Sequence, residues 1–242
     1  MDFLIVLVVA VVVSVALRTP LHKAPWVFYV LAVVADGAYI AGIEGLLPRA
    51  VMSPLTLLMG KCMLSLALFV VVMYIGVFAK GTKANQWLKP VRGELSIVAC
   101  LLACGHMAVY LGSYAPRLGL SMGGNVLAAL VVALALLVLL VVLGVTSFNT
   151  VKRRMRTDSW KRLQRWAYVF FGLVYVHLML MLAPAASRGG EAAVATVAVY
   201  TVVFGLYAVL RVRRAVVDRR AEGEAATVSS PAVSDALPSC GR

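Results

Sequence analysis

Long uninterrupted apolar runs constrain this chain more than any other feature. Because a helix rises 1.5 Å per residue, about 20 apolar residues cross the roughly 30 Å hydrocarbon core of a bilayer. Backbone groups in lipid must be hydrogen-bonded internally, and runs this continuous predict helices rather than a closed barrel. We therefore predict an all-α integral membrane protein with about seven transmembrane helices. The seven segments cover about residues 2–17, 26–47, 54–79, 94–115, 123–148, 163–183 and 192–210.

Composition supports a membrane protein and argues against a nucleic-acid-binding one. Hydrophobic residues make up 62% of the chain and charged residues only 14%, whereas soluble domains carry about 25% charged residues. The net charge of +13 comes from short basic clusters between apolar runs, which is typical of cytoplasmic loops. The predicted partner is therefore the lipid bilayer and not nucleic acid, and the predicted location is a cell membrane, in a bacterium the plasma membrane.

The basic clusters also predict an orientation. They follow the first, third, fifth and seventh apolar segments, so all four lie on the same side of the membrane. Loops rich in Lys and Arg face the cytoplasm, which predicts an N-terminus outside and a cytoplasmic C-terminus. The richest clusters lie at residues 152–165 and 211–220.

Three regions follow from this pattern. Residues 1–25 form an extra N-terminal transmembrane helix and loop, and residues 26–212 form a helical bundle. Residues 213–242 form a basic juxtamembrane segment and a cytoplasmic tail. From about Ala221 the tail is rich in Ala, Ser, Pro and Gly without periodicity, which favours disorder.

Two histidines lie deep inside apolar segments. His106 lies 14 residues after Arg92, and His177 lies 12 residues after Arg165. Both segments run outward from the cytoplasm, so at 1.5 Å per residue the histidines stand about 21 Å and about 18 Å above its boundary. An intramembrane histidine is costly and usually has a partner or a ligand.

Matched depth on two helices is the arrangement that a bis-histidine heme needs. Each neutral imidazole can offer one nitrogen to iron along an axis between the helices. Small residues beside His106 (Cys104 and Gly105) leave room for a porphyrin, and aromatic residues near His177 (Phe170, Phe171) supply flat apolar surface. The structural alternative is that each histidine is hydrogen-bonded to a neighbouring helix. We predict that His106 and His177 are the axial ligands of one heme iron.

The chain resembles the ferric reductase-like transmembrane domain family over much of its length. The resemblance rests on LGVTSF at 143–148, KRR at 152–154, WKRLQRWAY at 160–168 and His177-Leu178, with weaker similarity from Arg92-Gly93 to HMAVYL at 106–111. It covers roughly residues 55–210. The family includes ferric reductases, NADPH oxidases and the heme-bearing membrane subunit of the bacterial periplasmic methionine-sulfoxide reductase system.

The resemblance implies a heme-binding helical bundle that passes electrons across or along the membrane. His106 and His177 match the positions that hold the family's outer heme b. The family usually has another histidine 13 residues before the second ligand, and that position is Gln164 here. The position 14 residues before His106, a histidine in the oxidases, is Arg92. One heme b is therefore expected, with a quinone or FMN as a possible further cofactor.

Several charged residues lie in or beside the apolar segments. Intramembrane charges usually pair or line a cavity, and we predict that Lys61 pairs with Asp36 or Glu44. In the functional alternative, a carboxylate deprotonates a quinol or Lys61 faces a heme propionate. Arg49 and Arg117 are further candidates for holding propionates, and His22 is predicted to be a solvated loop residue.

The leading hypothesis is a membrane b-type cytochrome. It would pass electrons from a quinol or a cytoplasmic flavoprotein, through the heme, to an extracytoplasmic reductase or other redox protein. A non-redox membrane subunit or transporter that retains the fold without heme is the main alternative. A ferric-ion reductase that acts without a protein acceptor is a third.

Overall fold

The structure is a computed structural model that describes residues 2–79, 81–117 and 124–229. Within these residues all regular secondary structure is helical. The α-helices are α1 (Asp2–Ala16), α2 (Arg18–Lys23), α3 (Pro25–Ile43), α4 (Arg49–Leu55), α5 (Met63–Ile75), α6 (Lys83–Leu88), α7 (Arg92–Tyr114), α8 (Gly124–Ser147), α9 (Asn149–Arg154), α10 (Thr157–Gln164), α11 (Trp166–Ser187) and α12 (Glu191–Ser229).

The long helices make this a multi-pass membrane protein. In the described part of the chain, five helical stretches are long and apolar enough to cross a bilayer, and a bent pair makes a sixth. The N-terminal helix α1 has 15 residues, fewer than the roughly 20 that a perpendicular span needs. The seventh span and the orientation stay predictions. The five stretches are α3, α7, α8, Thr157–Ser187 and Glu191–Ala221.

The third apolar segment is not the continuous helix that its hydropathy predicts. After α4, a π-helical turn covers Thr56–Gly60, and α5 continues at an angle of 42°. Pro54 lies inside α4 and removes a backbone donor. Cys62 has a φ of 53° in the left-handed region, which ends a right-handed helix. The continuous span over 54–79 is therefore wrong, and its break lies at Lys61 and Cys62.

The last helix is longer than predicted. It continues from the membrane segment through the basic cluster to Ser229, so residues 221–229, predicted as disordered, are helical. Arg214 and Asp218 form an i,i+4 ion pair of 2.9 Å, and the Ala-, Arg- and Glu-rich sequence that follows has high helix propensity. Residues 230–242 of the predicted tail lie outside the described residues. The predicted loop after the first segment is also partly helical, as α2.

Helix α7 is the centre of the bundle. It packs against α3, α5 and α8, while α11 packs against α8 and α12, and α1 against α5. The Ser65 hydroxyl donates to the Ala99 carbonyl across 2.8 Å and joins α5 to α7. A Cβ on Gly144 would lie only 3.2 Å from Cys100 Sγ. The missing side chain therefore lets α8 approach α7 closely.

An aromatic cluster joins the last two helices. The ring of Phe171 stacks on Phe204 with 4.3 Å between centroids and meets Tyr207 edge-on at 4.9 Å. By contrast, many large apolar residues of α1, α3, α8 and α12 face outward and are exposed. Such a surface is expected where lipid rather than water surrounds a protein.

The left-handed backbone at Cys62 generates a stability prediction. We expect Cys62→Val to destabilise the folded protein by about 1–2 kcal/mol more than Cys62→Ala, because a β-branched residue tolerates this conformation poorly. Both variants remove the thiol, so the alanine variant is the matched control. Thermal unfolding in detergent measures the difference. Equal melting temperatures for the two variants would contradict the left-handed assignment.

Candidate functional site

A cavity of about 770 Å³ lies inside the bundle. Its volume is within the range of roughly 300–1,000 Å³ that is usual for cofactor and small-molecule sites. Residues from α1, α5, α7, α8, α11 and α12 line it, together with the broken segment before α5. His106 and His177 both face this cavity. The structure therefore brings together the two residues that the sequence singled out.

His177 is held in one orientation by the backbone of α8. Its Nδ1 atom lies 3.1 Å from the Ala129 carbonyl oxygen. Because a carbonyl oxygen only accepts hydrogen bonds, Nδ1 carries the proton and donates. The lone pair of Nε2 is then free to bind a ligand. Metal-binding histidines usually have this second hydrogen bond.

His106 packs on the tyrosine one turn further along α7. Its ring centroid lies 4.5 Å from that of Tyr110, and Tyr110 is in turn 6.4 Å from Tyr114. Residues four apart share one helix face, and all three line the cavity. We call His106, Tyr110 and Tyr114 the α7 aromatic face.

The broken segment packs against the same face. The Tyr110 hydroxyl donates to the Gly60 carbonyl across 3.2 Å, and the carbonyls of Met59 and Gly60 lie close to the His106 ring. Even so, His106 Nδ1 is buried without a hydrogen-bond partner among the described residues. An unpaired polar atom in a bilayer is costly. The orphan nitrogen thus marks this end of the cavity as a place where a ligand or water is needed.

A carboxylate contacts α7 at Gly105, the residue before His106. Asp36 of α3 packs directly on Gly105 of α7, and a Cβ on that glycine would overlap the carboxyl group. Asp36 Oδ1 is buried and has no hydrogen-bond partner in the described part of the chain. The close packing of α3 on α7 at the histidine therefore depends on the absence of a side chain at Gly105.

The predicted ion pairs of Lys61 are wrong. Among the described residues, Lys61 pairs with neither Asp36 nor Glu44. Lys61 follows the helix break and lines the cavity, and it is exposed, as is Glu44 at the end of α3. Arg49 is exposed and does not line the cavity. The side chain of Arg117 lies outside the described part, so its role stays a prediction.

The glutamine at the position of the family's inner histidine has a structural partner. Gln164 Nε2 donates to Thr146 Oγ1 across 3.3 Å, and Trp160 Nε1 donates to the Thr146 carbonyl across 3.0 Å. These bonds attach α10 to the end of α8. All three residues belong to the stretch that carries the resemblance, but no sequence pattern indicates this contact.

A second contact that the sequence did not indicate involves His22. Its side chain is 62% exposed, but its Nδ1 lies 3.9 Å from Glu94 Oε1 of α7. Glu94 is buried. The sequence feature that could have indicated this contact is a carboxylate in the first turn of an apolar helix.

No group of three or more His, Cys, Asp or Glu residues able to hold a metal ion occurs among the described residues.

Comparison with known proteins finds one family model that matches part of the chain. Residues 58–175 match the model of the family described as Ferric reductase like transmembrane component. The matched residues include His106 of α7, whereas His177 of α11 lies two positions beyond the match.

One relative is an uncharacterized protein from Treponema pallidum (strain Nichols). It is 41% identical over 175 residues, which are 71% of this chain and 47% of the relative. The chain thus spans about half the length of the relative that it matches. No solved structure matches the chain significantly.

The contact behind His106 generates a second prediction. We expect Gly105→Ala to destabilise the protein by about 1–3 kcal/mol, the usual cost of overpacking, because the new Cβ overlaps Asp36. The double variant Gly105→Ala with Asp36→Ala should regain most of this stability, and Gly112→Ala, which has open space at its Cβ position, is the control. Thermal unfolding is measured for the wild type, the single variants Gly105→Ala and Asp36→Ala, the double variant and the control. Additive losses in the double variant would show that the two side chains do not collide.

Proposed function

We propose that this protein is a membrane b-type cytochrome that binds one heme between His106 and His177. The observation that carries the proposal is that both imidazoles line one cavity of about 770 Å³. Heme bound there would supply one-electron chemistry. The chain's own residues would bind it, fix its orientation and keep it within an apolar enclosure.

The residues present fit a heme. The Ala129 carbonyl orients His177 with Nε2 free, and His106 Nδ1 is buried without a partner. The remaining lining is mainly aliphatic and aromatic, including Phe69, Phe170 and Leu136. This is the apolar setting that a porphyrin ring requires. The engagement of Gln164 with Thr146 favours a single heme.

The α7 aromatic face supports an outward electron path. Its rings extend from His106 to the end of α7, which the basic loops predict to be the extracytoplasmic end. We infer that electrons arrive from a quinol or a cytoplasmic flavin donor and leave along this face. The acceptor is then an extracytoplasmic redox protein, as in the methionine-sulfoxide reductase systems that the sequence resembles.

Heme content tests the proposal directly. Protein expressed in heme-replete cells and purified in detergent should contain about one heme b per chain in a pyridine hemochrome assay. His106→Ala and His177→Ala should each abolish the six-coordinate low-spin spectrum, because iron loses an axial nitrogen. His22→Ala, which changes a histidine outside the cavity, should keep the full spectrum. Folded wild-type protein without heme would instead favour the non-redox subunit or transporter.

The aromatic face generates a separate kinetic prediction. We expect Tyr114→Leu to slow oxidation of the reduced heme by a membrane-impermeant acceptor such as ferricyanide, with heme content unchanged. Tyr114→Phe keeps the ring and should retain the wild-type rate. Stopped-flow absorbance in proteoliposomes measures the oxidation rate. An unchanged rate in Tyr114→Leu would place the exit path elsewhere.

A further inference from the structure

We propose that Lys61 binds the carboxylate edge of the porphyrin in the cavity and thereby fixes which way the cofactor faces. This inference rests on the proposed function, because it concerns the same cavity. It adds a binding residue that lies on neither histidine helix.

The break in the third apolar segment places Lys61 at the cavity. Lys61 follows the π-helical turn Thr56–Gly60 and precedes the left-handed Cys62. Irregular backbone at membrane depth is tolerated where it is buried in protein or lines a cavity. A regular helix through these residues would give Lys61 a different direction. The break is therefore the feature that brings a cation to the cavity wall.

The charge of Lys61 has no counter-ion within the described residues. Neither of the ion pairs there includes it, although an intramembrane cation usually pairs or marks a functional site. Among the described residues that line the cavity, the carboxylate and amine side chains are those of Asp2 and Lys61. A ligand with a carboxylate at this point would supply the missing negative charge.

The position of Lys61 relative to the histidines suits the edge of a porphyrin. The hydrogen bond between Tyr110 and Gly60 sets the broken segment beside Tyr110, four residues or about 6 Å along α7 from His106. Lys61 is the next residue in the chain. Porphyrin carboxylates lie at the ring edge, away from the iron, so a cation that binds them must be displaced from the axial ligands in this way.

The sharpest test compares two porphyrins that differ only in their carboxylates. Heme-free protein in detergent is titrated with hemin and with hemin dimethyl ester, whose carboxylates are esterified, and binding is followed by Soret absorbance. Both contain iron for the two histidines, but only hemin has an anionic edge. We expect wild-type protein to bind hemin about 10- to 100-fold more tightly, as a charge-assisted hydrogen bond implies.

Substitutions at Lys61 assign this preference to one side chain. Lys61→Gln and Lys61→Met should bind both porphyrins with nearly equal affinity, whereas Lys61→Arg should keep most of the preference. Lys83→Gln changes an exposed lysine that does not line the cavity and is the control. Two neutral variants of different polarity are used so that poor folding of one leaves the test intact.

The outcomes separate this inference from the proposed function. Equal affinity of the wild type for both porphyrins, or an unchanged preference in the neutral variants, would overturn the role of Lys61 while leaving the histidine pair intact. If neither porphyrin binds, the proposed function fails with it. If Asp2 is the true counter-ion of Lys61, Asp2→Asn and Lys61→Gln should lower the melting temperature equally with no change in porphyrin preference, which also overturns the proposal.

Discussion

The fold depends on one constraint, which is that polar groups inside a bilayer must find partners within the protein. Most of the chain meets it with unbroken helices. Between helices, Ser65 reaches the Ala99 carbonyl and Tyr74 reaches the Val203 carbonyl across 2.7 Å. Against this background the unsatisfied groups are conspicuous. Asp36 Oδ1 and His106 Nδ1 are the two buried side-chain atoms without a partner in the described residues. Asp36 lies in the contact of α3 with α7, and His106 lies at the cavity wall.

The broken third segment shows how the same constraint builds a site. Interrupting a membrane helix releases carbonyl groups, and here the Gly60 carbonyl accepts from Tyr110 while Lys61 turns to the cavity. The carbonyl at the break thus has a hydrogen-bond partner, and the residue that follows it contributes to the cavity wall. A glycine at position 60 is needed, because a Cβ there would lie 2.8 Å from the Tyr39 hydroxyl oxygen. Tyr39 of α3, Tyr110 of α7 and Gly60 of the π-helical turn therefore meet at this point.

Much of the architecture was predictable because hydropathy reports burial in lipid directly. The prediction of α7 over 94–115 and α8 over 123–148 agrees with the structure to within about two residues. The family resemblance was also readable, since its motifs lie in continuous stretches. The partners of the charged side chains were not predictable from the sequence. Asp36 and Lys61 have similar depths in the membrane when depth is estimated from the number of residues in each segment. The helix break, which hydropathy does not register, sends Lys61 to the cavity instead.

The sequence by itself determined that the chain is helical, crosses a membrane several times and carries two deep histidines. It could do so because apolar length and the depth of a residue are properties of one segment at a time. Only the tertiary structure decided that His106 and His177 share a cavity, that Ala129 orients His177, and that Gln164 is engaged by Thr146. Those facts depend on how separate helices pack, and packing is set by contacts between residues far apart in the chain.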